Sequence, residues 1–352
     1  MTKTGIVKDK RYMDHWMGDQ HPECPERLAV TYAMLEEWDM AGQFKEVPVR
    51  RATKEDLLRV HSESYIQRIE ATSGQEYTFL DADTQTCAAS YETAVLAVGG
   101  LCQAIDMVHS GELQNAFALV RPPGHHAERS QAKGFCLFNN VAVGARYAQE
   151  ILHLHRVLIV DWDLHHGNGT QHSFEDDATI LYFSTHQYPY YPGTGALGEV
   201  GTGKGTGYTV NVPLSVGFGD GEYAGIYQNI LKPIALEFRP DLVLVSAGFD
   251  IYFGDPLGGM SVTPSGFAGL TRIILEIAEE CCKGRAVLTL EGGYDLDGLR
   301  SSVHHVLKEL AGFERTDVGA LMALAEPGIL DYVTDRVKQT HLPYWKSLAD
   351  SL

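Results

Sequence analysis

The hydrophobic pattern of the chain alternates between two kinds of segment. Six short apolar runs rich in β-branched residues have the length of buried strands: AFALV, RVLIVDWD, TILYFST, YTVNVPL, DLVLVSAG and AVLTLEGG. Longer segments with apolar residues at helical spacing lie between several of them, such as SYETAVLAVGGLCQAIDMV and TPSGFAGLTRIILEIAEECC. Continuous apolar strands that alternate with helices predict an α/β fold with a parallel sheet covered on both faces.

Ionisable side chains gather where these apolar runs end. They are the pairs His125-His126 and His165-His166, the carboxylates Asp161, Asp163 and Asp250, and the segment EGGYD. In parallel sheets, ligands bind beyond the carboxyl ends of the strands. Burying so many carboxylates and histidines would cost free energy unless a metal or a proton-transfer chemistry satisfied them. The pattern therefore predicts a functional site at one edge of the sheet.

The segment DWDLHH predicts part of a metal site. Asp163 and His165 are two residues apart at the end of a strand, so an extended chain points them to the same side. One oxygen and one nitrogen ligand suit a divalent ion such as zinc, and Asp250 at the end of DLVLVSAGFD offers a third ligand. Three protein ligands with an open fourth position are typical of a catalytic metal site. A histidine hydrogen-bonded in a core explains each residue alone, but not the group.

Composition narrows the class of protein. The 352 residues carry a formal charge of −18, which argues against a nucleic-acid surface and suits cationic substrates or partners. An acidity that only maintains solubility is equally compatible with this charge. No apolar run reaches the length of a membrane span, and the first residues lack the apolar core of a signal peptide. The six cysteines have no CxxC spacing. We therefore expect a reduced, cytoplasmic protein with a single domain over residues 1–352.

The segment GEVGTGKGTGYTV is close to the glycine-rich loop that binds phosphates. Gly205 occupies the position that needs Ser or Thr, and the residues that follow have the pattern of a strand instead of a helix. A turn-rich loop is therefore favoured over a nucleotide site.

Four separated segments occur in an order that is typical of one family. They are RPPGHHAERSQAKGFCLFNNVAV, DWDLHHGNGTQ, SAGFD followed by GDPLGGM, and EGGYDLDGL. Together they resemble the zinc-dependent histone deacetylase family with its acetylpolyamine amidohydrolase relatives, and the similarity runs from HPECPERL to about Leu310. The resemblance implies the arginase–deacetylase fold, an eight-stranded parallel sheet between helix layers. Asn168, with GNGTQ and GDPLGG, resembles the class II branch, because class I usually has Asp at that position.

The resemblance implies a metal and a proton carrier. Asp163, His165 and Asp250 would hold Zn²⁺, or Fe²⁺, with water and the acetyl carbonyl at the open position. His126 would act as general base and then as general acid, hydrogen-bonded by Asn168. A neutral amide should raise the basicity of His126 less than a carboxylate would, so the pH behaviour of the Asp-bearing branch does not transfer.

Two further catalytic roles follow from the resemblance. His125 would contribute electrostatically, oriented by Asp161, and the phenol of Tyr294 would donate to the oxyanion of the tetrahedral intermediate. Some relatives carry His in place of this Tyr and are poor catalysts. Tyr294 therefore predicts an active enzyme.

The resemblance also implies a substrate tunnel. Phe135 and Tyr191 would form its aromatic walls, and the carbonyl of Gly134 would accept the substrate amide N–H. Leu257 matches the tunnel mouth and Asp83 matches the acid at the rim. In addition, Arg27 resembles the inner-channel arginine associated with acetate release.

Structural potassium ions are implied at two places. The residues of the first site would be Asp161, Asp163, His165, Ser184 and Thr185, several through backbone carbonyls. The residues of the second site would be Phe174, Asp177, Ile180 and Tyr208.

The sequence thus predicts a zinc amidohydrolase that removes acetyl groups from N-acetyl-lysine or from a small acetylated amine. An acetylpolyamine amidohydrolase shares this chemistry, a non-catalytic acyl-lysine-binding scaffold would not need Tyr294, and an arginase-like enzyme would need a second metal ligand set that we do not find. Leu257 is apolar where a polyamine-selective branch has Glu, although an acidic loop with Asp14 and Asp19 would compensate if it folded over the mouth. The natural substrate, the physiological metal and a homo-oligomeric state stay open.

Overall fold

A computed structural model describes residues 4–349 of the chain. The strands in this range are β1 (Thr4–Val7), β2 (Lys45–Glu46), β3 (Thr78–Phe79), β4 (Gln85–Thr86), β5 (Asn115–Ala118), β6 (Val157–Asp161), β7 (Ile180–Gln187), β8 (Thr209–Leu214), β9 (Leu242–Ala247) and β10 (Ala286–Leu290). The α-helices are α1 (Glu26–Leu35), α2 (Lys54–Leu58), α3 (Glu63–Glu70), α4 (Ser90–His109), α5 (Asn140–Glu150), α6 (Asn168–Phe174), α7 (Asp220–Ile226), α8 (Lys232–Phe238), α9 (Pro264–Cys282), α10 (Leu296–Leu310), α11 (Val318–Met322) and α12 (Ile329–His341). Short 3₁₀ segments lie at Lys10–Met13, Gly203–Gly205 and Lys346–Leu348, and a π-helical turn at Tyr227–Leu231 joins α7 to α8.

Eight of these strands form one parallel sheet in the order β2-β1-β5-β10-β9-β6-β7-β8 among the described residues. Strands β3 and β4 form a separate antiparallel pair. The prediction of an α/β fold with an eight-stranded parallel sheet between helices is confirmed, and all six apolar runs of the sequence coincide with strands β5 to β10. The pattern missed β1 and β2 because they are only four and two residues long.

The middle of the sheet is covered on both faces. Every residue of β5, β6, β9 and β10 is buried, as expected for continuous apolar strands between helix layers. Helix α4 packs on α5, while α9 packs on α10, and α4 and α9 both contact β10. No helix among the described residues combines the length and the hydropathy needed to cross a bilayer.

Helix α9 shows how local sequence defines an element. Its N-cap is Thr263, whose hydroxyl accepts from the amide of Gly266, and Pro264 occupies the first turn, where a missing N–H costs nothing. The helix ends at Lys283 and Gly284, which both have positive φ angles of 60° and 81°. This left-handed turn stops the helix and redirects the chain into β10.

The strand order brings distant parts of the chain together at one edge. Strand β6 lies between β9 and β7, and β10 lies beside β9, so the carboxyl ends of β6, β9 and β10 are neighbours. Asp161 is the last residue of β6, Asp163 follows it, and Asp250 and Glu291 follow β9 and β10. The sheet order, and not proximity in sequence, therefore assembles the polar groups.

Close packing of the N-terminal half depends on a glycine in α4. A Cβ at Gly99 would lie 2.1 Å from the carbonyl oxygen of Arg50 and 2.5 Å from the amide nitrogen of Ala52, and that amide donates to the carbonyl of Val95 at 3.0 Å. We expect Gly99→Ala to lower the free energy of unfolding by about 1–3 kcal/mol, because backbone atoms would have to move apart. Gly198→Ala, where a Cβ would meet nothing within 4 Å, is the control. Equal urea midpoints for the two variants would contradict this account.

Candidate active site

Asp163, His165 and Asp250 converge beyond the ends of β6 and β9. Nδ1 of His165 lies 3.1 Å from Oδ1 of Asp163 and 3.1 Å from Oδ2 of Asp250. One ligand atom from each residue lies within 4.8 Å of the other two. Within residues 4–349, no other group of three His, Cys, Asp or Glu side chains has this spacing. The structure therefore brings together the three residues that the sequence suggested as metal ligands.

Backbone amides hold the two carboxylates in place. The amide of Leu164 donates to Oδ1 of Asp250 at 2.8 Å, and the amide of Gly292 donates to Oδ2 of Asp163 at 2.8 Å. Glycine is needed here, because a Cβ at Gly292 would lie 2.2 Å from Oδ2 of Asp250 and one at Gly248 would lie 2.1 Å from Oδ2 of Asp163. The carboxylates are thus oriented by the main chain before any ligand binds.

The electrostatics of this trio favour a bound cation. Burial and the neighbouring Asp163 raise the pKa of Asp250 to about 7. Burial alone would lower the pKa of His165, but hydrogen bonds to Asp163 and Asp250 raise it to about 9. A divalent ion would take over the role of the proton on His165 and relieve the repulsion between the two carboxylates. Two carboxylate oxygens and one imidazole nitrogen fit Zn²⁺ or Fe²⁺.

The two histidines of the first pair have opposite environments, although their ring centroids are only 4.1 Å apart. Nδ1 of His125 lies 3.0 Å from Oδ2 of Asp161. Burial opposes a charge on His125, but Asp161 and Asp163 outweigh it and raise the pKa to about 10. Nδ1 of His126 instead lies 2.8 Å from Oδ1 of Asn168. Burial and the nearby His125 hold the pKa of His126 well below its usual value, so one ring is charged and the other neutral.

Tyr294 lines the same cavity. Burial raises the pKa of its phenol well above the usual value, so the group stays protonated and can donate a hydrogen bond. The guanidinium of Arg27 lies 5.0 Å from the ring centroid. Oδ2 of Asp255 accepts from the amides of Tyr294 at 2.6 Å and Asp295 at 3.2 Å, which fixes the turn that carries the ring.

A cavity of about 120 Å³ leads to these groups. It is lined by Asp83, Pro123, His125, His126, Gly134, Phe135, His165, Tyr191, Leu257, Gly292 and Tyr294. The five residues that the sequence suggested for the tunnel and its mouth all contribute to this lining. The ring of Phe135 is nearly perpendicular to Tyr294 at a centroid distance of 5.9 Å, and Tyr191 is nearly perpendicular to His126 at 5.2 Å. The cavity is therefore narrow, with aromatic walls and with ionisable side chains at its inner end.

An unusual backbone conformation shapes the tunnel wall. Gly134 and Phe135 have φ angles of 55° and 69°, which a phenylalanine rarely adopts. Oδ1 of Asp83 accepts from the amide of Gly134 at 3.1 Å, and the hydroxyl of Thr84 accepts from the amide of Phe135 at 3.0 Å. A Cβ at Gly134 would lie 2.3 Å from Cδ2 of His126, so the wall approaches the histidine as closely as glycine permits.

Arg27 lies behind Tyr294 and does not line the cavity. It is fully buried and donates to the carbonyls of Gly293 at 2.6 Å and Glu291 at 2.5 Å. Its Nη1 also donates to Oε1 of Glu23 at 3.1 Å, and Arg121 pairs with the same carboxylate. The arginine suggested for the inner channel is therefore part of a buried ionic cluster next to the turn of Tyr294.

The residues suggested for the first potassium site are adjacent in the structure. Ser184 pairs with Asp161 across β6 and β7, and the amide of Asp163 donates to Oδ1 of Asp161 at 3.2 Å. The hydroxyl of Ser184 hydrogen-bonds His186 at 2.9 Å, and that of Thr185 lies 3.3 Å from the hydroxyl of Tyr227. With these hydroxyls engaged, backbone carbonyls and the Asp161 carboxylate are the groups that suit a monovalent cation here.

The residues suggested for the second potassium site surround the turn after α6. The carbonyl of Phe174 accepts from the amide of Asp177 at 3.0 Å, and the carbonyl of Asp177 accepts from the amide of Ile180 at 3.4 Å. The carbonyl of Tyr208 accepts from the amide of Tyr182 at 2.9 Å. Each of these oxygens has a second lone pair that a cation can use.

Three acids of the site were missed in the sequence: Glu291 and Asp255, which are buried, and Glu128, which is half-buried. Oε2 of Glu291 accepts from the amides of Gly124 at 2.6 Å and His125 at 3.2 Å, which fixes the turn that carries the histidine pair. Asp255 fixes the turn of Tyr294, and Glu128 contacts Asn168. Glu291 and Asp255 stand in EGGYD and GDPLGGM, which the sequence marked as segments without giving these acids a role.

The acidic loop noted in the sequence lies beside the tunnel wall. Its Asp14 and Asp19 are exposed, and His21, which follows them, packs on Phe135 with a centroid distance of 4.6 Å. This contact places His21 against the tunnel wall, and the half-buried, apolar Leu257 also lines the cavity.

Comparisons with known proteins identify the family to which the chain belongs. A model of the histone deacetylase domain matches residues 21–310. The chain is 38% identical to a probable deacetylase of Archaeoglobus fulgidus, over 97% of this chain and 99% of that protein. It is 40% identical to the polyamine deacetylase HDAC10 of Danio rerio and to histone deacetylase 15 of Arabidopsis thaliana, and covers 49% and 64% of their lengths. A crystal structure of the HDA15 HD domain superposes with a TM-score of 0.90 at 39% identity, covering 99% of this chain and 97% of that one.

The arrangement of the trio predicts one tightly bound divalent ion per chain. Asp250→Asn keeps the shape of the side chain but replaces a carboxylate ligand by an amide, so we expect it to lose most of the metal. Asp255→Asn is the matched control, since this acid accepts only backbone amides and should leave the metal content unchanged. Elemental analysis of the purified variants measures both. A full complement of metal in Asp250→Asn would refute the ligand assignment.

Proposed function

This chain is a deacetylase of the histone deacetylase family, and we propose that it removes acetyl groups from amine nitrogens with a metal held by Asp163, His165 and Asp250. The observation that carries the proposal is the convergence of this buried trio with a neutral histidine and a protonated phenol around one narrow cavity. When bound, a divalent ion would polarise the acetyl carbonyl and lower the pKa of a water molecule.

The side chains around the cavity transfer the proton and stabilise the charges that develop during the reaction. His126 bonds Asn168 through Nδ1, so its Nε2 takes the proton from water and later delivers it to the leaving amine. His125, kept charged by Asp161, stabilises the negative charge that develops nearby. The phenol of Tyr294, which lines the same cavity, donates to the oxyanion.

The tunnel suits an unbranched acyl-amine. Phe135 and Tyr191 provide apolar faces for a methylene stem, and the carbonyl of Gly134 accepts the amide N–H of the substrate. That carbonyl already accepts the thiol of Cys136 at 3.2 Å, and its second lone pair remains for the substrate. At the mouth, Asp83 orients the substrate backbone and Leu257 packs on the stem. Behind Tyr294, Arg27 assists the release of acetate.

We propose N-acetyl-lysine as the preferred substrate and acetylpolyamines as the second candidate. The apolar Leu257 at the mouth supports the first. The second is supported by the exposed Asp14 and Asp19, which belong to the loop whose His21 contacts Phe135, and by the polyamine deacetylases among the relatives. A non-catalytic scaffold is disfavoured because it would need neither the trio nor Tyr294.

Bound potassium ions, the domain organisation and the cellular location are also part of our proposal. We propose K⁺ at both suggested sites, supported by the backbone carbonyls that gather there. One sheet and one continuous core support a single domain. The six cysteines form no disulfide among themselves in the described structure, which supports a reducing, cytoplasmic location.

Removing one hydroxyl tests the oxyanion donor. We expect Tyr294→Phe to lower kcat by about 10²–10³ with little change in KM, because the phenol acts in the transition state. Tyr223→Phe is the control: this hydroxyl is also buried and has no hydrogen-bond partner in the described structure, so kcat should be retained. Steady-state kinetics on an acetyl-lysine peptide measure both. A near-normal kcat for Tyr294→Phe would show the mechanism to be wrong.

Substitutions of Leu257 at the tunnel mouth test the choice between acetyl-lysine and acetylpolyamine substrates. We expect the wild-type protein to cleave acetyl-lysine peptides with a higher kcat/KM than acetylspermidine or acetylputrescine. Leu257→Glu should shift this ratio toward the polyamines, because it brings a carboxylate to the second ammonium group in a partly desolvated place. Leu257→Gln has the same shape without the charge and should shift the ratio far less. A wild-type preference for acetylpolyamines of about tenfold or more, or about 1.4 kcal/mol, would overturn the assignment.

A further inference from the structure

The amide that holds the proton-carrying histidine is itself held by a carboxylate. We propose that Glu128 is a positioning residue of the deacetylase reaction: through Asn168, it fixes His126 in the tautomer with the proton on Nδ1 and the lone pair on Nε2. The inference rests on the proposed function, in which Nε2 of His126 moves the proton.

The contacts form a continuous path from the surface to the cavity. The side chain of Glu128 is 23% exposed, and its Oε1 accepts from Nδ1 of His172 at 2.8 Å and from Nδ2 of Asn168 at 2.5 Å. Oδ1 of Asn168 lies 2.8 Å from Nδ1 of His126. Asn168 is buried and does not line the cavity, so its side chain depends on the protein groups around it for hydrogen bonds.

The ionised carboxylate of Glu128 fixes the orientation of the Asn168 amide. An asparagine side chain can present either its oxygen or its NH₂ group to an imidazole, because the two ends have nearly the same shape. A carboxylate accepts only, so Glu128 selects Nδ2 of Asn168 and leaves Oδ1 for the ring. Burial works against the charge of Glu128, but hydrogen bonds from His172 and Asn168 outweigh it and lower the pKa, which keeps the carboxylate ionised.

The orientation of Asn168 determines which nitrogen of His126 is basic. Oδ1 accepts only, so Nδ1 of His126 must carry the proton and Nε2 keeps the lone pair. If the amide turned over, its NH₂ group would face Nδ1, the ring proton would move to Nε2, and the ring could no longer take a proton from water. The carbonyl of His126 also accepts from Nδ2 of Asn168, at 3.3 Å, but this longer and uncharged contact is the weaker restraint.

The same helix contains a matched arrangement that does not reach the cavity. Oε2 of Glu199 accepts from Nε2 of Gln171 at 2.7 Å, and Oε1 of Gln171 lies 2.9 Å from Nε2 of His166. This is again a carboxylate, an amide on α6 and a histidine, but His166 does not line the cavity. Glu199→Leu therefore removes the same kind of contact without touching the proposed proton path.

The test compares kcat and KM on an acetyl-lysine peptide, with the metal content of each variant measured beforehand. We expect Glu128→Leu to lower kcat by about 10–100-fold, with KM and metal content retained. Glu128→Gln keeps an acceptor oxygen and should recover most of kcat, while Glu199→Leu should match the wild type. In the Asn168→Ala background, Glu128→Leu should cause no further loss, because Glu128 acts through that amide.

A spectroscopic measurement on the wild-type protein tests the tautomer of His126 even if Glu128→Leu does not fold. ¹⁵N NMR of labelled histidine reports the tautomer, and we expect His126 to carry its proton on Nδ1 in the wild-type protein and to become a mixture of tautomers in Glu128→Leu. A proton on Nε2 in the wild type, or an equal loss of kcat in Glu128→Leu and Glu199→Leu, would overturn the inference. A wild-type protein inactive on acetyl-lysine peptides and acetylpolyamines would instead refute the proposed function.

Discussion

The burial of four carboxylates at one edge of the sheet is the constraint on which the site depends. Asp161, Asp163, Asp250 and Glu291 are all nearly inaccessible to water. The hydrogen bonds they accept within the described structure come from backbone amides, histidines and hydroxyls, and none comes from an arginine. Dipoles and imidazoles orient these charges but neutralise them only in part, so a bound cation would complete the balance. An arginine at this edge would occupy the place that we propose for the metal.

The same constraint separates the two histidines of the pair. The carboxylates lie on the side of His125, which becomes charged, whereas His126 meets a neutral amide and stays uncharged. Adjacent residues on one turn thus acquire different chemistry from their neighbours in space. Arg27 and Arg121 instead pair with Glu23, next to the ring of Tyr294.

Much of the fold and of the candidate site could be predicted before the structure was known. The six apolar runs identify strands β5 to β10 because a strand buried on both faces needs apolar residues without interruption. Asp163 and His165 share a side because successive residues of an extended chain alternate. The rule that ligands bind beyond the carboxyl ends of parallel strands then pointed to Asp250. These inferences use only local periodicity and the polarity of strand ends.

The tertiary structure decided what local patterns cannot encode. Gly292 donates to Asp163 across 129 residues of sequence, and Glu128 meets Asn168 across 40, because the strand order β10-β9-β6 and the docking of α6 bring them together. The roles of Glu291 and Asp255 were missed for the same reason. An acidic residue after a strand has the same sequence pattern whether it binds a metal or fixes a turn. Sequence alone therefore determined strands β5 to β10, the reactive residues at their ends and the family. Only the packed sheet decided which of those ends are neighbours, because the order of the strands in the sheet depends on how the whole chain packs.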